Sequence, residues 1–165
     1  MNMRMKLAFA SHFLASVLLF SFGIIYILRP EFMPYHSVAV GMTWAEVGHP
    51  FQVLILALMR GFGSACLSIA ILMFTLLLLP FRRGVTWARW AIPIGGLIVS
   101  SGTLYATSYV ALNTPATPPL IAPAGGAALL VVGFFLSWGQ PRQRRINRRL
   151  YSGWRQRPER TSRCA

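Results

Sequence analysis

The chain has 165 residues, 55% of them hydrophobic, and a formal net charge of +13. Its apolar residues gather into blocks of about 20, the length that matches the roughly 30 Å hydrocarbon core of a bilayer. A soluble protein this small would expose far more apolar surface than the few hundred Å² usual for monomers, so the composition excludes a soluble globular domain.

The first apolar block covers about residues 7–28 and ends at Arg29 and Pro30. It is longer than a secretory leader's apolar core and lacks a small-x-small cleavage site, so it reads as a retained first span. A loop of about 20 residues follows, the longest and most polar in the chain. Within it Thr43-Trp44-Ala45-Glu46 has the spacing of a capping box, which predicts a short helix from about Trp44. That helix either lies along an interface or leads into the next span through a kink at Pro50. The second span covers about 51–79, and Pro80 with Phe81-Arg82-Arg83-Gly84 forms a short turn. The third covers about 90–112, the link 113–119 is rich in Pro and Thr, and the fourth covers about 120–138. Residues 1–138 thus read as one all-α, integral membrane four-helix bundle, and 139–165 as a basic, disordered tail.

Charge sets the expected topology. Of the 16 basic residues, nine lie after Gly139, two (Arg4, Lys6) precede the first block, and three (Arg82, Arg83, Arg89) lie between the second and third. Fourteen cations therefore fall on one side against Arg29 alone on the other, which places both termini in the cytoplasm and the structured loop outside. Because the charge is segregated in this way, nucleic acid is not an expected partner. Trp87, Trp90 and Trp138 fall at the inner interface, and Trp44, Tyr26 and Tyr35 near the outer one. Small residues recur four apart at Ala57, Gly61 and Ala65, at Gly96 and Ser100, and at Ala124 and Ala128. Such series let helix backbones approach closely, though small residues are also simply common in membrane helices.

Arg60 is the most informative single residue. Counted from Phe51 at 1.5 Å per residue it lies roughly 14 Å below the outer surface, where an arginine costs about 2.5–3.5 kcal/mol. It is expected to face the bundle interior, bonded to third-span hydroxyls such as Ser101 and Tyr105 or to the loop carboxylates Glu31 and Glu46. One reading is a cationic pocket for a lipid headgroup or small anion; the other is a structural arginine locking loop to helix. His36, His49 and Glu46 are ligand types for a transition metal, and Glu46 and His49 have Glu-x-x-His spacing without a second copy. The same histidines would titrate first on acidification.

His12 is the only histidine inside a span. Haem needs a second at matched depth, so His12 is expected to hydrogen-bond a serine or threonine on another helix. Cys66 and Cys164 lie in different environments, which argues against a disulfide or a thiolate metal site. No nucleophile–base pair, phosphate loop or paired carboxylate stands out, so neither an enzyme nor a cofactor is expected. In the tail, Arg142, Arg144, Arg145, Arg148 and Arg149 are candidates for contact with anionic lipid headgroups.

Several stretches resemble an uncharacterised family of small four-span bacterial inner-membrane proteins. They are Phe32-Met33-Pro34-Tyr35-His36, Thr43-Trp44-Ala45-Glu46, Leu58-Met59-Arg60-Gly61-Phe62-Gly63, Pro80-Phe81-Arg82-Arg83-Gly84 with Trp87-Ala88, and Thr114-Pro115-Ala116 with Pro118-Pro119. The resemblance implies a multi-pass protein of the bacterial inner membrane and carries no established activity. Three functions are consistent with these readings. The first is a non-catalytic accessory or scaffold subunit with a membrane-protein partner or a second copy. The second is a lipid, anion or small-ligand binding or transport protein built on Arg60. The third is a metal- or pH-responsive sensor built on the loop.

Overall fold

The computed structural model describes residues 2–139. Helix α1 runs Met3–Leu28, opened by the Asn2 side chain, which accepts from the Met5 amide at 3.0 Å. It closes at Arg29, whose extended backbone still donates to Ile25. The following segment is itself structured. Pro34, in the first turn, starts α2 (Pro34–Val40), because a proline there forfeits only an amide that lacks a helical partner anyway. Gly41, at φ 68°, ends it in the left-handed region that favours glycine. The capping box at Thr43 forms and opens a 3₁₀ turn, Trp44–Glu46.

Helix α3 (His49–Leu76) continues into a π-helical turn (Leu77–Phe81), giving 33 helical residues. Pro50 sits in its first turn and makes no kink, and Pro80, expected to end the span, lies inside the π turn. Helices α4 (Ala88–Asn113) and α5 (Ile121–Ser137) complete the fold, and no strand occurs among the described residues. The four long helices each match an apolar block to within a few residues, whereas α2 was not expected and the turn from Trp44 is only three residues long.

Helix α1 packs on α3 and α5, and α4 packs on α5 and, less extensively, on α3. Contacting rings and glycines fix the directions. Phe9 meets Phe81 while Gly23 meets Gly63, and Ser11 bonds the Leu129 carbonyl while Ala15 and Gly126 line one cleft further along. Neighbouring helices therefore run antiparallel. One end, the cap end, gathers residues 29–48 and the 114–120 link. The other, the basic end, gathers Arg4, Lys6, Arg82, Arg83 and Arg89. Leu77, Phe81, Ile92 and Leu130 are fully buried near the middle and basic end.

Two helices, Met3–Leu28 and His49–Phe81, are long and apolar enough to cross a membrane, with mean hydropathy 2.0 and 2.4. Only 28% of each apolar stretch is buried, whereas the core helix of a soluble protein would be mostly covered. Helix α4 equals α1 in length, but its Pro, Gly, Ser, Thr and Tyr residues leave it less apolar. The 17 residues of α5 rise only about 25 Å. Length and apolarity alone thus mark two spans, not the expected four.

Candidate functional site

The cap is built on the overhang of α3. Phe32 and Met33 are buried against Met59, with Tyr26, Tyr35, Trp44, Val47 and Ile55 packed around them. Polar groups tie this apolar cluster together. The Tyr26 and Tyr35 hydroxyls lie 2.8 Å apart, and Gln52 donates to the Trp44 carbonyl at 2.8 Å. Burial, reinforced by the Tyr26 hydroxyl, holds the Tyr35 phenol above its ordinary range.

The loop residues read as ligands have other work here. The Met33 amide donates to His36 Nδ1 at 3.3 Å, and burial lowers the His36 pKa. Glu46 Oε2 accepts from the amide and the hydroxyl of Thr43 at 2.6 and 2.8 Å, and those bonds hold its carboxyl below the usual range. Glu31, exposed, lies 3.9 Å from the half-buried Arg29. His49 is exposed at the first position of α3. Among the described residues no three His, Cys, Asp or Glu side chains gather where a metal ion could be held.

Arg60 lies neither inside the bundle nor at mid-depth. It is exposed, and no hydrogen bond or ion pair joins its guanidinium to another described residue. Ser101 and Tyr105 are likewise exposed, and Ser101 donates to the Ile98 carbonyl of its own helix. The helix register explains the shift in depth. Gly23 and Gly63 meet backbone to backbone, since a Cβ on either would stand 2.9 Å from the other's carbonyl oxygen. Gly23 is about 7.5 Å short of the end of α1, and Arg60 about 4.5 Å beyond Gly63, at 1.5 Å per residue. Arg60 is therefore level with the last turn of α1, because the first turns of α3 overhang its neighbour and carry the cap. The pocket expected around Arg60 is not assembled within this chain.

Toward the basic end lies a layer that the residue pattern did not reveal. His12 is fully buried, with its ring edge-on to Phe81 at 5.7 Å. The expected serine or threonine partner is missing: neither ring nitrogen has a hydrogen-bond partner among the described residues, and Ser16 donates to the His12 carbonyl instead. The ring lies against Gly133, where a Cβ would stand 2.7–2.9 Å from three ring atoms. One layer further, Arg89 is nine-tenths buried and donates through NH1 to the Ser137 carbonyl at 3.3 Å. A guanidinium at the last turn of α5 satisfies a carbonyl that has no helical partner and opposes the helix dipole.

Between these layers and the cap, the four long helices enclose a cleft of about 470 Å³, mouth included. Its walls are apolar (Leu18, Phe22, Phe62 and Leu130 among them), with Ser100, Thr103 and Cys66 as the only polar side chains. No known protein family, curated protein or solved structure matches this chain. The resemblance noted above therefore stands on its motifs alone. The tail arginines Arg142, Arg144, Arg145, Arg148 and Arg149 lie outside the described residues.

The residues missed by sequence reading are Gly23, Gly63, Gly133 and Arg89. A glycine inside an apolar helix costs about 1 kcal/mol against alanine, and at these three a close neighbour supplies the packing reason, unlike Gly61 and Gly102, which have open space around them. That signal was present but did not say which neighbour required it.

Proposed function

We propose that this chain is a non-catalytic integral membrane protein of the bacterial inner membrane, crossing it four times with both ends in the cytoplasm, and that it serves as an accessory or scaffold subunit of a larger membrane assembly. The topology is supported by charge: the basic end holds Arg4, Lys6, Arg82, Arg83 and Arg89, while the described acids, Glu31 and Glu46, both lie at the cap end. On this reading α4 and the short α5 cross as a pair, their hydroxyls bonded to their own backbones, as at Thr103 and Thr107.

The observation that carries the subunit reading is the uncovered face of α3. Ala57, Gly61, Ser64, Ala65 and Ser68 are all exposed, and nothing lies within 4 Å of where a Gly61 Cβ would stand. Small and hydroxyl residues on one helix face are what a second membrane helix packs against. Purification in mild detergent at native expression level, with mass spectrometry of what remains bound, tests this. A stoichiometric membrane-protein partner is expected, lost in Gly61→Ile while the chain itself still accumulates. A lone protein would refute the subunit reading. Reporter fusions after residues 119 and 138 test the topology, and an external report after 138 would refute it.

A second reading is favoured by the cleft: a small apolar ligand held among the four long helices. A lone protein that retains one such molecule through purification would support it.

A further inference from the structure

We propose that the cleft among the four long helices binds a neutral, membrane-soluble ring carbonyl compound, the class of the isoprenoid quinones, with Ser100 donating to the carbonyl. This rests on, and deepens, the reading of the cleft as a ligand site in a membrane-spanning chain. Serines and threonines on these helices generally return their hydroxyls to their own backbone, as Ser64 does to the Arg60 carbonyl and Thr103 to that of Val99. Ser100 does not: its side chain lines the cleft and its hydroxyl bonds no described residue. A hydroxyl left unbonded in a hydrocarbon setting is costly, so a ligand that accepts from it gains what no alkyl chain can. The facing wall is bare backbone, since a Cβ on Gly126 would meet nothing nearer than the Ser100 Oγ, at 3.8 Å. That leaves room for a flat ring beside the hydroxyl.

Charge and depth select the occupant. No charged side chain lines the cleft, so a free anion or a phospholipid headgroup would find nothing to pair with. A Cβ on Gly96 would stand 3.3 Å from Met73 Cε, so those two residues share a level. Ser100 is one turn, about 6 Å, toward the cap from there, and Arg60 about 20 Å. The hydroxyl is therefore about 14 Å below Arg60 and, with Arg82 about 14 Å beyond Met73 on the other side, near mid-bilayer. The ester carbonyls of a phospholipid lie at the polar boundary and do not reach that depth. A quinone carries its ring carbonyls into the hydrocarbon. Phe22 and Phe62 offer aromatic faces to the ring, and Phe62, the only exposed lining residue, marks the side by which a tail leaves into lipid. At about 470 Å³, mouth included, the cleft is of the size that holds a small ring compound.

The test uses the full-length protein purified in mild detergent. Resistance to alkaline extraction from membranes is established first, since extraction would overturn the membrane reading and this one with it. The unfolding midpoint is then followed against decylubiquinone and against decylbenzene, which has a ring and the same tail but no carbonyl. Decylubiquinone should raise the midpoint saturably, and at lower concentration than decylbenzene. Ser100→Ala removes one hydroxyl and should weaken the decylubiquinone response about three- to tenfold while leaving that to decylbenzene unchanged. Ser101→Ala, which removes an exposed hydroxyl bonded to the Ile98 carbonyl, should change neither. Gly126→Leu fills the cleft and should abolish both responses; if that variant does not accumulate, the two serine variants decide. Equal responses to the two probes, or a decylubiquinone response unaltered by Ser100→Ala, overturn the carbonyl site while leaving an apolar cleft. A response that survives Gly126→Leu, or none to either probe, overturns the cleft reading as well.

Discussion

Replacing Gly63 by alanine adds one methyl group at the tightest point between α1 and α3. That methyl would stand 2.9 Å from the Gly23 carbonyl oxygen, 2.9 Å from Ile27 Cγ1 and 3.0 Å from Tyr26 Cβ. The nearest of these is backbone and the last is the root of a side chain, so little can yield except the helices themselves. The approach is also reciprocal, because a Cβ on Gly23 would meet the Gly63 carbonyl at 2.9 Å and the Leu67 amide at 2.9 Å. Each glycine thus turns a C–H group toward the other's carbonyl, a weak bond worth about 0.5–1 kcal/mol. Overpacking of this kind costs typically 1–3 kcal/mol, against which the better helix propensity of alanine returns about 1 kcal/mol. Since losing those weak bonds adds to the cost, a net destabilisation of about 1–2 kcal/mol is expected. Gly61→Ala, two residues away with open space around it, should be neutral or stabilising by up to about 1 kcal/mol. The assay is reversible unfolding of purified protein in mixed micelles of increasing denaturing-detergent fraction. Equal stability of the two variants would refute the backbone approach, and with it the register that sets Arg60 level with the end of α1.

Other variants probe the histidine layer and the cap. Gly133→Ala should destabilise by about 1–3 kcal/mol through its clash with the His12 ring, and His12→Ala should relieve that cost, so the double variant should be more stable than the sum of the two predicts. Additive effects in the same unfolding assay would show that the ring does not lie there. Acidification should loosen the cap through two groups of the same sign. Burial lowers the His36 pKa, so its contribution is complete above about 6.5 and is lost as pH falls below that. Glu46 is held low by Thr43, so its contribution is present above the ordinary carboxylate range and is lost as pH falls through its depressed value. Protection of residues 30–48 from hydrogen exchange, corrected for the intrinsic rate at each pH, should begin to fall below about pH 6.5, and Glu46→Gln should remove the more acidic phase; protection unchanged on acidification through the carboxylate range would contradict both assignments. Finally, Met59→Ala should cost about 2–5 kcal/mol by opening the cluster with Phe32 and Met33, read as lost protection of the cap, and full protection would place Met59 outside that cluster.

The helices were legible in the sequence because their ends carry local chemistry. Arg29-Pro30, the Thr43–Glu46 box and the turn at Phe81-Arg82-Arg83-Gly84 mark boundaries whatever the tertiary setting, whereas α2 went unread. The faces were not legible. Helix α3 is apolar nearly all round, so periodicity could not say which side is inside, and the four-apart series Ala57, Gly61, Ala65 is exposed while Met59, Gly63, Cys66, Ala70 and Met73 are buried. Depth failed for a related reason. Counting inward from Phe51 assumes that every helix starts at the same level, and the overhang of α3 breaks that assumption. Once that register is known, an arginine expected to need a buried partner is an exposed residue level with the end of its neighbour. The loop was read for metal-ligand types, but hydrogen bonds within the loop occupy His36 and Glu46.

The pairing of α1 with α5 sets an order on synthesis. Ser11 bonds a carbonyl 118 residues later, and His12 lies against Gly133. A ribosome delivers α1 first and α5 last, and elements generally settle in the order in which they emerge. The α1–α3 hairpin, locked by its two glycines and sealed by the cap, can form as soon as residue 81 is made. Phe81 covers one edge of the imidazole once the α3 hairpin packs, but the side that meets Gly133 stays bare until α5 arrives, so the nascent protein carries a half-sheltered polar group through the making of α4.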